Sequence, residues 1–261
     1  MRRPLLRSIR CWAPAVLLLL GGCGDGLALD RLAAGEHGRV VEVRSGDVVA
    51  LDSGLVVRLA GLQVPREGEA GSDEAAAALG RLVQGRQVQL YYGGARRDAY
   101  SRALAQVRLV GGGWVEAAML RQGEAEVRTF ADNRAMARAM LDDEARARLA
   151  HRGLWRVGGA FQVRLPQEVG RAMGRGGAGF QIVEGQVRRV TDTGRGVYLD
   201  FMDGAGGFAA EVPAAAAQDL REAGLSPDTL AARLVRVRGT VGWDGLMRID
   251  HPEQVEVVGR R

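Results

Sequence analysis

The sequence predicts a mainly β protein with helices, organised as two small barrels in succession. Short runs rich in Val and Leu alternate with Gly and Asp-Ser-Gly turns, while helical spacing is confined to a few stretches between them. The roughly 240 residues after the first 22 suit two small domains better than one. A Gly-punctuated stretch at 158–180 is predicted to be the linker between domains at 37–157 and 181–261.

The first domain is predicted to be a small barrel with helices packed on it. Gly46 and the turn at 52–54 separate its first three strands, which indicates tight antiparallel connections. Alternation and helical spacing place strands at 39–44, 47–51, 55–62, 86–92 and 103–110, and helices at 74–83, 114–121 and 132–152.

The second domain repeats this theme with fewer helices. A helical insert at about 214–233 interrupts its strands, and a short barrel with one helix between its middle strands is the expected shape of an OB-fold. An immunoglobulin-like sandwich is the alternative. The predicted strands are 182–190, 196–202, 207–212, 234–241, 246–250 and 254–258.

The N-terminus resembles a bacterial lipoprotein signal. Four arginines precede an apolar run at 12–20, and a small-residue cleavage site ends in Cys23. This resemblance implies a signal peptide at 1–22, lipidation of Cys23, and a tether at 23–36. An uncleaved anchor helix is less favoured, because the run is about half the ~20 residues that a membrane span needs. We therefore expect a lipid-anchored protein on the periplasmic face of the cell envelope; Gly24 after the cysteine favours the outer membrane if the cell is Gram-negative.

Charge and cysteine content narrow the function classes. The net charge of +5 includes the four signal arginines, so 32 Arg against 31 acidic residues leave a mature chain of +1. A broad basic footprint for nucleic acid is therefore excluded, and any such binding must use local clusters. Loss of Cys11 with the signal and lipidation of Cys23 would leave no thiol for a disulfide or a zinc site.

Five motifs in order make residues 39–157 similar to the staphylococcal (thermonuclease-like) nuclease family, itself an OB-type barrel with helices. The resemblance implies calcium-assisted hydrolysis of a nucleic-acid phosphodiester, with two arginines gripping the phosphate and a glutamate acting on the attacking water. The motifs are VRSGDVVAL at 43–51, VRLAGLQVPRE at 57–67, DAYSRALAQV at 98–107, AMLRQGEAEV at 118–127 and RGLW at 152–155.

Four positions keep the residues that the family pattern requires. Asp47 matches the first metal aspartate, Arg58 and Arg102 match the phosphate arginines, and Tyr100 matches a position near the substrate phosphate. Such residues also have ordinary structural uses. Asp47 is a common turn acid, and both arginines could pair with local carboxylates.

Other positions depart from the pattern. Gln63 replaces the second metal aspartate, although its carbonyl oxygen remains a potential ligand, and Val64 can still supply a backbone carbonyl. Arg66 replaces the glutamate and reverses the charge beside the metal, leaving at most a role in binding substrate. Either Glu67 or Glu69 could substitute for the lost carboxylate. The family's base-stacking tyrosines are also absent, because the matching stretch reads Arg-Thr-Phe-Ala at 128–131.

A second candidate surface lies in the C-terminal domain, part of which resembles the OB-like domain that follows nuclease-like domains in some bacterial proteins. Alternation places Arg236 and Arg238 on one strand face, and Tyr198, Phe201 and Trp243 are the aromatic candidates for stacking bases. The alternative is an ordinary half-buried strand with solvated arginines.

Three hypotheses follow. The first is an envelope lipoprotein of nuclease-like fold that is weak or inactive as a phosphodiesterase and acts by binding nucleic acid or a protein partner. The second is an active calcium-dependent nuclease that uses Asp47, Arg58 and Arg102 with Glu67 or Glu69. The third is an envelope scaffold whose barrels are protein-interaction modules without phosphate affinity.

Overall fold

The structure is a computed structural model that describes residues 29–173, 179–203 and 207–259. Its first part is a closed barrel of five strands in the order β1-β2-β3-β6-β5, which confirms the predicted mainly β class. These strands are β1 (Ala33–Ser45), β2 (Val48–Leu51), β3 (Val56–Leu59), β5 (Gln87–Tyr92) and β6 (Ala103–Leu109), while a separate pair is formed by β4 (Leu62–Gln63) and β7 (Glu126–Val127).

The barrel closes because one pairing is parallel. β1, β2 and β3 form an antiparallel meander, and Gly54 adopts a positive φ of 81° in the second of its turns, as the sequence predicts. β3 then pairs with β6 in parallel, and β6 pairs with β5 and β5 with β1 in antiparallel fashion. Arg58 is thereby opposite Leu104, so the motifs that contain Arg58 and Arg102 lie on neighbouring strands.

Three helices cover this barrel: α1 (Ser72–Val83), α2 (Val115–Gln122) and α3 (Ala137–Leu149). The buried positions of α1 recur at helical spacing, at Ala75, Ala78, Leu79 and Val83, and they join the barrel core. Gly123 ends α2 in the left-handed conformation, with its N–H donated to the Leu120 carbonyl.

The C-terminal part consists of two four-stranded sheets, ordered β10-β11-β12-β14 and β15-β13-β9-β8, over one apolar core. A bridge between Val241 and Met247 joins them. The predicted second barrel of OB type therefore stays a prediction. The strands are β8 (Val163–Arg164), β9 (Phe180–Gln186), β10 (Arg189–Asp192), β11 (Gly196–Asp200), β12 (Ala209–Pro213), β13 (Leu234–Thr240), β14 (Leu246–Arg248) and β15 (Val255–Val257), with helices α4 (Pro166–Met173), α5 (Ala214–Glu222) and α6 (Pro227–Leu230).

Several expected boundaries change. The predicted loose stretch at 158–180 contains β8, which pairs in parallel with β9, and helix α4; the domain boundaries themselves remain predictions. The single strand expected at 182–190 divides into β9 and β10, which belong to different sheets. The helix expected at 132–152 begins at Ala137, after an Asn133 turn that pairs with Phe130.

Contacts join the two parts of the molecule directly. A small apolar cluster contains Trp155 and Phe161 from the first part of the chain and Ile182 from β9. Arg238 of β13 is 2% exposed and forms an ion pair with Glu144 of α3 at 2.8 Å. Within the part of the chain that the structure describes, no helix combines the length and the apolar character needed to cross a membrane.

Candidate functional site

Asp47 and Arg58 meet at one edge of the barrel. Asp47 lies in the turn before β2, and its backbone carbonyl accepts from Leu59 N–H at 2.8 Å, which fixes the turn against β3. Its carboxylate accepts from Ser45 Oγ at 2.8 Å and lies 3.4 Å from Arg58 Nε. Arg58 thus pairs with a local carboxylate, which was the structural alternative for this residue, and both oxygens of Asp47 are engaged by protein groups.

Arg102 is held by Asp98 in the loop before β6. Its Nε donates to Asp98 Oδ2 at 2.7 Å, and its backbone N–H donates to Asp98 Oδ1 at 3.0 Å. Burial of Asp98 opposes ionisation, but hydrogen bonds from Arg102 and from the backbone hold the pKa of this carboxyl below its usual value. The Arg102 guanidinium lies 5.1 Å from the centroid of the Tyr100 ring, which is 80% exposed.

A cavity of about 330 Å³ lies beside Arg58 and the Asp98 loop, and neither Asp47 nor Arg102 is among its lining residues. Arg58, Asp98 and Tyr100 line it together with Arg128 and Phe130. The structure therefore brings Arg58 and Tyr100 to one cavity. Arg102 adjoins that cavity through its contacts with Asp98 and Tyr100.

Gln63 does not face Asp47 as a free ligand. Its side-chain oxygen accepts from an Arg128 guanidinium nitrogen at 2.8 Å, and its amide donates to the Val64 carbonyl at 2.9 Å. The Gln63 side-chain oxygen and the Val64 carbonyl oxygen, the two neutral metal ligands expected here, therefore both accept hydrogen bonds from the protein. Arg128 was not predicted as a site residue. The only available signal was its position in the segment that corresponds to the family's stacking tyrosines.

Arg128 carries a charge that its surroundings disfavour. Burial is the largest cause of its lowered pKa, followed by repulsion from Arg58 and from Arg66. Arg66 itself is exposed, and its guanidinium makes no hydrogen bond or ion pair with the residues that the structure describes. Three guanidinium groups therefore act on one region, which is the arrangement expected of an anion-binding site.

Neither proposed substitute carboxylate bonds Asp47, Arg58 or Gln63 in the part of the chain that the structure describes. Glu69 accepts from the Arg66 backbone N–H at 2.8 Å and thereby closes its own turn, while Glu67 is exposed. Across residues 29–173, 179–203 and 207–259, no group of three His, Cys, Asp or Glu side chains is arranged to hold a metal.

Calcium is plausible from the nuclease resemblance, but these donors do not fit it. Ca²⁺ takes six to eight oxygens at 2.3–2.6 Å. Asp47 is the only carboxylate at the expected ligand positions, and it already bonds Ser45 and Arg58. The Gln63 and Val64 oxygens have protein donors as well. The donor set is thus poor in both charge and free oxygens.

The predicted platform of Arg236 and Arg238 is corrected by the structure. Arg238 is buried and bonds Glu144 and Glu256, while Arg236 bonds Glu184 and Glu256. The half-buried strand of the alternative is present, but its arginines are paired with carboxylates instead of being solvated, so no platform for bases forms at Arg238.

The three aromatic side chains of that platform also differ widely in exposure to solvent. Phe201 is 4% exposed in the core, whereas Trp243 is 73% exposed. Tyr198 is half-buried, with its hydroxyl 3.5 Å from Glu211. The lipidation candidate Cys23 lies outside the described residues.

Comparison with known proteins agrees with the barrel geometry. Residues 56–157 match the family model described as staphylococcal nuclease homologue. A search of curated proteins found no match. The match and the closed five-stranded barrel together show that this chain contains a staphylococcal nuclease-like domain.

Proposed function

We propose that the nuclease-like domain binds the phosphates of single-stranded nucleic acid and hydrolyses them weakly or not at all. The observation that carries this proposal is the engagement of Gln63 by Arg128 beside Arg58. An arginine thereby stands against the side chain that replaces a metal carboxylate. This edge of the barrel is therefore suited to binding an anion.

Charge favours an anion here. The repulsion that Arg58 and Arg66 exert on Arg128 falls when a phosphate binds beside it, and guanidinium groups match phosphate oxygens in bidentate geometry. Tyr100 and Phe130 are 80% and 45% exposed at the same cavity. Exposed rings beside a phosphate site offer surfaces on which successive bases can stack.

The same residues disfavour hydrolysis. Two unit charges about 4 Å apart interact by roughly 4 kcal/mol at an effective dielectric near 20, so a cation at the Arg66 position repels a metal where a carboxylate would attract it. Loss of general-base assistance alone costs roughly 10²- to 10⁴-fold in rate. Glu69 already accepts a hydrogen bond from the Arg66 backbone in its own turn, which opposes its use as a replacement.

The test is binding of a fluorescein-labelled oligo(dT) to the full chain as salt is varied. Three phosphate contacts predict a slope of log affinity against log salt of about −2 for a single strand. Arg58→Ala and Arg128→Ala should each weaken binding and reduce that slope by roughly one contact. Arg86→Ala is the control, because Arg86 is exposed and does not line this cavity.

Two outcomes would overturn the proposal. Absent or salt-independent binding would favour a protein-interaction scaffold. Calcium-dependent cleavage of the oligonucleotide that is lost in Arg58→Ala and in Glu67→Gln or Glu69→Gln would favour an active nuclease. Repeating the titration with calcium and then with EGTA should leave the affinity of the binding protein unchanged.

We further propose that Cys23 carries lipid and that the protein acts at the cell envelope. The signal-like N-terminus and the placement of Cys23 support this proposal. Metabolic labelling with palmitate should modify the natural chain and fail in Cys23→Ser. Persistent labelling of the variant would contradict the anchor.

A further inference from the structure

A second cavity lies between the barrel and the C-terminal sheets and shares Arg66 with the proposed phosphate site. It measures about 360 Å³ and is lined by Arg66 and Glu126 of the first part and by Phe161, Phe180 and Gln181. Its lining is mostly polar with two phenylalanines, so hydrogen bonds rather than apolar contact alone would select a ligand.

Glu126 is the polar group that makes this cavity unusual. The antiparallel pair of β4 and β7 places it directly opposite Gln63. It is 9% exposed, yet its carboxyl group makes no hydrogen bond or ion pair with the residues that the structure describes. Because Glu126 lines the cavity and its oxygens have no protein donor, both are open to donors on a ligand.

The charges around Glu126 restrict what such a ligand can be. Burial raises its pKa to about 8, with a further rise from Glu144, while Arg238, Arg164 and Arg148 oppose the rise. Arg66 and Glu69 also line the cavity, and the Glu69 carboxylate is bonded to the Arg66 backbone. The guanidinium groups outnumber the other carboxylates, which disfavours a cationic ligand and favours a neutral group with paired donors.

We propose that this cavity binds a guanine base, with the Glu126 carboxylate accepting hydrogen bonds from the N1–H and the N2 amino group. Guanine presents these two donors side by side on its Watson–Crick edge, which matches the two oxygens of a carboxylate. Phe161 and Phe180 supply apolar walls for the base, and the unpaired Arg66 guanidinium is available to a phosphate.

This inference deepens the proposed function by naming a preferred base. It is tested with nucleosides, which carry no phosphate, so its failure is separable from failure of oligo(dT) binding. Calorimetric titration of the full chain should give at least tenfold tighter binding of guanosine than of inosine, which lacks the N2 amino group, or of adenosine. Because binding requires the ionised carboxylate, guanosine affinity should rise about tenfold per unit from pH 6 to pH 7 and level off above pH 8.

Substitutions test whether Glu126 is the residue that binds guanosine. Glu126→Gln should weaken guanosine binding at least tenfold and abolish its pH dependence, whereas Glu42→Gln, an exposed change of the same charge, should do neither. Arg86→Ala, at an exposed position that lines neither cavity, should leave guanosine affinity unchanged. Thermal unfolding of Glu126→Gln establishes that the variant is folded.

Three results would overturn the inference: adenosine binding as tightly as guanosine, unchanged guanosine affinity in folded Glu126→Gln, or methylguanidinium displacing guanosine at lower concentration than guanosine itself requires. The last result would assign the cavity to a cationic group.

Discussion

At the scale of single residues, Arg128 links the candidate phosphate site to the rest of the molecule. Its guanidinium bonds Gln63 and reaches Thr240 Oγ1 of β13 at 3.4 Å. It also lies 5.3 Å from the ring centroid of Phe130 and 5.7 Å from that of Phe180. Arg128 therefore contacts both the edge of the barrel and the C-terminal sheets. An anion bound beside it would interact with a side chain that both parts hold.

Gln63 and Arg66 stand where the family has acidic residues. If their replacement limits hydrolysis, returning acids to both positions should restore cleavage of the phosphodiester. Gln63→Asp combined with Arg66→Glu returns two carboxylates to the family's metal and water-activating positions. We expect calcium-dependent cleavage of single-stranded DNA at a rate at least ~10²-fold above that of the natural chain, the lower end of general-base assistance. A gel assay of end-labelled DNA with calcium and with EGTA measures it.

The control for this experiment is Gln84→Asp combined with Arg86→Glu, which makes the same change of charge at exposed positions outside the site. It should remain as inactive as the natural chain. Cleavage by the natural chain equal to that of the restored variant would contradict the interpretation that the site is degenerate.

The sequence identified about half of the candidate site. Asp47, Arg58 and Tyr100 follow from motifs whose spacing the barrel preserves, since β2, β3 and β6 are neighbours. Arg128 could not be found in this way, because its role depends on a hydrogen bond to Gln63, 65 positions away. Arg238 was misassigned for the same reason: alternation along a strand identifies a face but not the carboxylates of another element packed against it.

At the scale of elements, sequence periodicity located the long strands and helices. It failed for short strands, which exist only because they pair with another strand. α1 carries its apolar residues at helical spacing and was predicted within two residues at its start and at its exact end. β4, β7 and β8 are two residues long, too short for any periodic pattern, and exist only through pairing. The β4–β7 pair nevertheless positions both Gln63 and Glu126, so these short strands shape both candidate sites.

At the scale of the whole molecule, a network of buried charges joins the two parts. Glu144 of α3 accepts from Arg238, from Arg148 and from the Val127 backbone N–H. Arg134 extends the same contact to Asp219 and Glu253 of the C-terminal part. A buried ion pair is weak evidence of added stability, but it fixes one geometry, because any other relative placement would leave these charges unpaired.

Removing one member of this network should therefore be costly. Arg238→Ala leaves Glu144 and Glu256 without their shared guanidinium in a buried environment, and we expect the free energy of unfolding to fall by about 3–5 kcal/mol. Arg238→Met with Glu144→Gln should recover much of that loss, because Gln keeps an acceptor for Val127 N–H. Arg248→Ala breaks only an exposed pair with Asp250 and should change stability by less than about 1 kcal/mol. Urea unfolding followed by tryptophan fluorescence measures all three.

Equal losses of stability in Arg238→Ala and Arg248→Ala would show that the network does not hold the two parts together. A second unfolding transition in Arg238→Ala alone would show that the network couples them.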